Sequence, residues 1–348
     1  MSPGDPRRGE AAPGGLPRVL VAGATGFAGA LAAHLLWRHP GFELTGVTGR
    51  SEVGRRLDEV HPRYRVPLQV EELDLDRVEV DAAIVAYPHA AAAPTVAGLR
   101  ARGARVLDLS ADFRLRDLST YERWYGEHPC PGLVGEAVYG LTELHRERIA
   151  TARIVAMPGC YPTAALLALA PLARAGLLSD VVIDAKQGIS GAGRVFDETT
   201  HLSMAGENIV PYKVAAHRHT PEIEEQLRDL DPARPELKVQ FQAHLVPLDQ
   251  GEMASCYVTP ARRLGEAELQ DLYHEVYAGE HFVEVVDAPP GVREVRETNF
   301  CRIFAAADAH TGKVIVFSAI DNLWKGTSSQ AVQNLNLMFG YEEREGLG

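Results

Sequence analysis

Arg18-Val19-Leu20-Val21-Ala22 runs directly into Gly23-Ala24-Thr25-Gly26-Phe27-Ala28-Gly29, and residues 30–38 follow as an apolar, Ala- and Leu-rich run. This stretch decides the fold. A short apolar strand meets a glycine-rich turn, and the turn opens a helix. The spacing Gly-x-x-Gly-x-x-Gly is looser than the strict dinucleotide fingerprint but serves the same physics. Without Cβ atoms the backbone can approach a pyrophosphate, which rests on the helix N-terminus. A glycine pattern alone carries little weight; one that follows the first strand of a βαβ pattern carries much more. Gly23, Thr25, Gly26, Phe27, Ala28 and Gly29 are therefore candidate cofactor contacts.

Working outward, strands are expected at 42–47, 80–86, 105–109 and 153–157, with a helix over 90–102. Strands that alternate with helices imply an α/β fold, a Rossmann-type doubly wound parallel sheet. Beyond residue 160 the pattern changes. Strand-like runs at 181–185, 237–247, 252–259, 282–286, 302–308 and 313–320 are separated by long connections. They suggest a second, α+β domain with a mainly antiparallel sheet. A final helix over 324–339 is expected to return to the first domain. The expected organisation is a disordered tail over 1–17, an NADP-binding domain over 18–159, a catalytic domain over 160–320 and the returning segment 321–348.

Composition narrows the function classes. The chain has 348 residues, 46% hydrophobic and 24% charged, as an ordinary globular protein does, and a formal net charge of -12. That charge argues against nucleic acid or an anionic membrane surface as a partner. Four cysteines without paired spacing point to reduced thiols and a cytoplasmic home. The Pro- and Gly-rich start has no apolar h-region, and no run reaches membrane-spanning length.

The end of the second strand bears on the choice of dinucleotide. A carboxylate there would hold an NAD ribose 2′-OH. This chain instead reads Thr48-Gly49-Arg50-Ser51. A guanidinium and hydroxyls suit a 2′-phosphate, so NADP is the expected cofactor. Pro88, just past the third strand, completes the candidate set on that side.

Cys160 carries the expected chemistry. It sits in Pro158-Gly159-Cys160-Tyr161-Pro162-Thr163, between the strand at 153–157 and a helix expected over 163–175. Backbone N–H groups and the positive end of a helix dipole favour a thiolate there. Three further segments offer partners. Ser110-Ala111-Asp112-Phe113-Arg114 follows the fourth strand; Arg114 reads either as an anion clamp or as a salt-bridge partner of Asp112 or Asp117. Gln187-Gly188-Ile189-Ser190-Gly191-Ala192-Gly193-Arg194 reads as a glycine-rich anion loop. In His217-Arg218-His219-Thr220-Pro221-Glu222, Thr220 is the expected N-cap. A histidine just before it, His217 ahead of His219, is the expected acid/base. No matching cluster of metal ligands is evident.

Taken in order, these segments, with Lys186 before Gln187 and with Asp321-Asn322-Leu323-Trp324-Lys325-Gly326, resemble the N-acetyl-gamma-glutamyl-phosphate reductase family over nearly the whole chain. The resemblance implies a covalent mechanism: Cys160 attacks an acyl phosphate, NADPH reduces the resulting thioester, and the semialdehyde leaves. It also implies that His217 or His219 manages the proton and that Asn322, Ser190 and Gly191 lie near the cofactor. Arg114, Ser190, Arg194, His217 and Glu222 would meet the substrate. The resemblance also implies a homo-oligomer, dimer or tetramer, and makes the second domain an α+β substrate/dimerisation domain whose sheet is the expected interface. The alternative is a related reductase acting on a carrier-linked aminoadipyl phosphate or on aspartyl phosphate.

Overall fold

A computed structural model describes residues 15–194 and 198–347. The expected disordered tail lies mostly outside the described residues. The chain divides into two compact units: Met1–Pro158 with Thr327–Gly348, and Gly159–Gly326.

Among the described residues the first unit has seven short strands, most of them largely apolar: β1 Arg18–Ala22, β2 Glu43–Thr48, β3 Val70–Glu71, β4 Ala82–Val85, β5 Arg105–Asp108, β6 Ala137–Tyr139 and β7 Ile154–Ala156. β4 and β7 are buried at every residue. Continuous burial rather than alternation marks strands covered on both faces, as in a parallel sheet. The sheet has the order β3-β2-β1-β4-β5-β7-β6, and every pairing is parallel. This is the doubly wound architecture expected from the turn at Gly23, and the order reverses beside β1. The helices Phe27–Arg38 and Ala93–Ala101 follow β1 and β4. The helix Ser329–Phe339 packs against Phe27–Arg38 and Thr142–Thr151 within this unit.

The second unit carries β8 Leu178–Gly188, β9 Val210–Tyr212, β10 Val239–Val246, β11 Glu252–Pro260, β12 Val283–Val285, β13 Cys301–Ala307 and β14 Val314–Ile320. Their order is β12-β13-β14-β11-β8-β10-β9. The β12–β13 and β8–β10 pairs are parallel and the other four antiparallel, so the sheet is mainly antiparallel. Burial alternates along β10 and β13, as it does when one sheet face is covered. The helix Cys160–Arg174 provides that cover. It is buried from Tyr161 to Ala173 and packs on β11 and β14.

The structure departs from the expected elements in several places. β3, β6 and β9 are too short to stand out as patterns. β8 runs on through Gln187 and Gly188, so only Ile189–Ala192 of the expected loop turns away, as a 3-10 turn. The helix carrying Pro221 begins at His219 with Arg218 as its N-cap, which displaces Thr220 from that role. Residues 324–328 form a π-helical turn ahead of the last helix.

Candidate active site

The dinucleotide cradle belongs to the first unit. Gly23 has φ +86°, and a Cβ there would fall 2.6 Å from the Ala86 carbonyl oxygen. A Cβ at Gly29 would fall 2.2 Å from the Gly23 oxygen. These two glycines therefore close the turn on itself. Gly26 differs: it is the N-cap of Phe27–Arg38, lacks a side-chain cap, and a Cβ would meet nothing nearer than 3.8 Å. A side chain would fill the space in front of uncapped helical N–H groups, which is where a pyrophosphate fits. Arg50 is exposed, its guanidinium 4.9 Å from the centre of the Tyr87 ring. The Thr25 and Ser51 hydroxyls are 3.4 Å apart. The Pro88 carbonyl accepts the Ala91 and Ala92 N–H groups at the approach to Ala93–Ala101.

The Leu109–Arg114 segment is internally committed. Asp112 accepts the N–H groups of Ala90 and Ala93 and the Tyr121 hydroxyl. Arg114 is buried, and its guanidinium donates to the Met157 and Leu109 carbonyls at 2.7 and 2.9 Å. It ties β5 to the end of β7, a third option beside the expected anion clamp and the salt bridge.

In the second unit Cys160 is the first residue of the helix Cys160–Arg174, with Gly159 as an N-cap that brings no side-chain bond. Gln187, at the end of β8, donates Nε2–H to the sulfur at 2.9 Å. Gly191 makes this possible: a Cβ there would lie 2.3 Å from the Gln187 carboxamide. A Cβ at Gly326 would fall 2.9 Å from that of Cys160. The surroundings of the sulfur oppose the thiolate that the helix start alone favours. Burial, then the nearby carboxyl of Glu252, pushes the Cys160 thiol well above its ordinary range. The Gln187 bond and the Tyr161 N–H pull the other way and do not prevail. A desolvated sulfur near a carboxyl holds its proton until something takes it.

Cys160 and both histidines line one pocket of about 420 Å³, together with Tyr161, Gln187, Gly191, Tyr212 and Lys213. The His219 ring stands over the N-cap of the Cys160 helix, since a Cβ on Gly159 would lie 2.6 Å from its Nε2. His217 is buried, and its Nδ1 accepts the His219 N–H at 3.2 Å. Burial and then His219 hold His217 down to about 2, so it stays neutral. Glu222 is buried and accepts the Gly159 N–H at 2.9 Å, which fixes the entry to the Cys160 helix. Ser190 and Asn322 are buried together: Asn322 Nδ2 donates to Ser190 Oγ at 3.1 Å, Ser190 Oγ to the Asp249 carbonyl, and Gly251 N–H to Asn322 Oδ1. They pin the turns after β8 and before β11. Arg194 is exposed at the end of the 3-10 turn.

Glu252, Lys213 and the role of Gln187 were not among the expected site residues. Glu252 was findable, because it shares a strand face with Ala254, Cys256 and Val258. Lys213 has φ +46°, a conformation that its sequence does not announce.

Comparison with known proteins agrees with this geometry. Residues 18–152 match the family model described as semialdehyde dehydrogenase, NAD binding domain, and 160–322 match semialdehyde dehydrogenase, dimerisation domain. An N-acetyl-gamma-glutamyl-phosphate reductase of Desulforudis audaxviator is 47% identical over 95% of this chain and 97% of its own. The protein of that name from Methanocaldococcus jannaschii is 41% identical over 95% of this chain and 98% of its own. The solved aspartate semialdehyde dehydrogenase II of Vibrio cholerae shares the fold, with a TM-score of 0.71 at 17% identity over 93% of this chain and 99% of that one. With relatives 41% and 47% identical over 95% of its length and both family models matched, the chain belongs to the N-acetyl-gamma-glutamyl-phosphate reductases, enzymes of the semialdehyde dehydrogenase family.

Proposed function

We propose that this chain reduces N-acetyl-gamma-glutamyl phosphate to N-acetylglutamate 5-semialdehyde with NADPH, through a thioester on Cys160. The observation that carries the reading is the placement of Cys160: first in a buried helix, hydrogen-bonded by Gln187, and open to a pocket that also holds His219. Relatives at this identity are named for the N-acetyl-gamma-glutamyl substrate, which favours it over the aspartyl and carrier-linked alternatives.

Gly23, Gly26 and Gly29 would hold the pyrophosphate of a nicotinamide dinucleotide, which would supply the hydride. The residues of the chain do the rest. Cys160 sulfur forms the bond to the acyl carbon, and the bond from that carbon to the phosphate oxygen breaks. The thioester divides one difficult displacement into two easier steps. Gln187 steadies negative charge on sulfur whenever the thiolate is present. His219 supplies the proton that the departing phosphate needs, while neutral His217 orients it. Lys213, on the pocket wall, is the cation for an anionic group of the substrate, with Arg194 as a second. Glu222 serves by holding Gly159, so its part is positional.

Arg50 favours NADP over NAD, because a guanidinium resting on Tyr87 can fork onto a 2′-phosphate. The protein acts in the cytoplasm as a dimer or tetramer, associating through the second unit's sheet, where Phe304 and Phe317 stack on the partly open face.

Reverse turnover tests the proposal. Purified protein with N-acetylglutamate semialdehyde, phosphate and NADP should form NADPH, and Cys160→Ala should not. No NADPH from wild type removes the substrate assignment; full activity in the variant removes the thioester.

A further inference from the structure

The Cys160 thiol must lose its proton before the sulfur can attack. Glu252 is the first residue of β11 and shares its inward face with Ala254, Cys256 and Val258. It is fully buried, although every other member of that face is apolar. Across the sheet it pairs directly with Gln187, so both side chains stand on one face. Gln187 donates to the Cys160 sulfur at 2.9 Å, and the Glu252 carboxyl lies against the same thiol. Among the described residues, neither carboxyl oxygen has a hydrogen-bond partner of regular geometry. A buried carboxyl left without donors calls for a reason, and a proton-transfer role is one.

We propose that Glu252 is the proton acceptor for Cys160. The inference rests on Cys160 being the nucleophile. The S–H bond breaks and an O–H bond forms on the Glu252 carboxylate, leaving a thiolate. The thiolate attacks the acyl carbon, and phosphate departs with the C–O electron pair, taking a solvent-derived proton through His219. After hydride reaches the thioester carbon, the C–S bond breaks with its pair on sulfur, and Glu252 returns the stored proton. One solvent proton is consumed per turnover, and the pair ends as it began. Moving the proton from sulfur to oxygen keeps the pair's charge at minus one, so no new charge is buried.

The groups acting on the pair come from every side. Tyr161 lies on the same helix as Cys160, Tyr212 ends β9, and Asp321 follows β14. Burial, with Asp321 adding to it, raises Glu252 to about 8, while the nearby Cys160 thiol works against the rise. A raised carboxyl gains its base form as pH rises through that value, so thiol reactivity should climb through about 8.

The test is the rate of iodoacetamide alkylation of Cys160 against pH, read by peptide mass spectrometry on the full chain. Wild type should show its inflection near about 8. Glu252→Gln should lose that inflection and react slower at neutral pH by on the order of a hundredfold, as loss of a general base does. Glu252→Asp should keep the inflection. A Glu252→Gln protein alkylated at the wild-type rate or faster overturns the proposal, since the carboxyl would then only have burdened the thiol. A wild-type profile with no inflection near that pH overturns it without any variant. Cys160→Ala separates the two readings: if it turns over substrate, the nucleophile assignment fails; if it is inert while Glu252→Gln reacts normally, only Glu252 fails.

Discussion

Gln187 and Gly191 offer a two-residue test of how the nucleophile is held. Gln187 Nε2 donates to the Cys160 sulfur at 2.9 Å, and Gly191 leaves the space its carboxamide occupies. A hydrogen bond to a charged acceptor contributes about 1.5–3 kcal/mol, which corresponds to roughly 10- to 150-fold in rate. Gln187→Ala should therefore slow thioester formation by that factor, measured as the phosphate burst on rapid mixing with the acyl phosphate. Gly191→Ala places a Cβ 2.3 Å from the carboxamide, close enough to force it aside, and should cause most of the same loss. The double variant is decisive. With alanine at 187 the obstructed group is gone, so Gly191→Ala should add little to Gln187→Ala. Strictly additive losses would mean that the two residues act separately, and the positioning argument would be refuted.

Other expectations follow from the same geometry. Arg50→Ala should raise the KM for NADP strongly and leave that for NAD nearly unchanged in steady-state assays; an equal effect on both would remove the 2′-phosphate assignment. His219→Ala should lower turnover by on the order of a hundredfold or more, whereas His217, held near about 2, should contribute no inflection to the pH–rate profile in the neutral range. Glu252 should also shape stability. Its carboxyl is raised to about 8 from 4.5, so its contribution is fully present below 4.5 and is lost as pH rises through about 8. The advantage of Glu252→Gln in thermal melts should therefore grow across that window, reaching a few kcal/mol at most (roughly 1.4 kcal/mol per pH unit). A constant offset would show that Glu252 is not raised in the folded protein.

The parallel sheet was legible because its signals are local. A strand, a glycine turn and a helix occur within 18–38, and buried parallel strands read as unbroken apolar runs. Strands as short as Val70–Glu71 leave no such run. The position of Cys160 at a helix start was legible from its place between an apolar strand and a helix, but the opposing effect of its surroundings was not. The helix start is a local feature, whereas the raised thiol comes from burial and from Glu252, nearly a hundred residues further along the sequence. Arg114 shows the same limit: it donates to carbonyls just past two strands, which spacing alone does not reveal. Glu252 could have been read from the alternation of β11, because a charged residue in register with Ala254, Cys256 and Val258 must point inward.

A thioester on Cys160 is the intermediate on which the proposed chemistry depends. Enzyme mixed with N-acetyl-gamma-glutamyl phosphate, without NADPH, can be quenched in acid and its peptides weighed. One acyl group per active site should be found on the peptide carrying Cys160, with an equal amount of phosphate released. Phosphate released with no acyl group on Cys160, or an acyl group carried elsewhere in the chain, would contradict it.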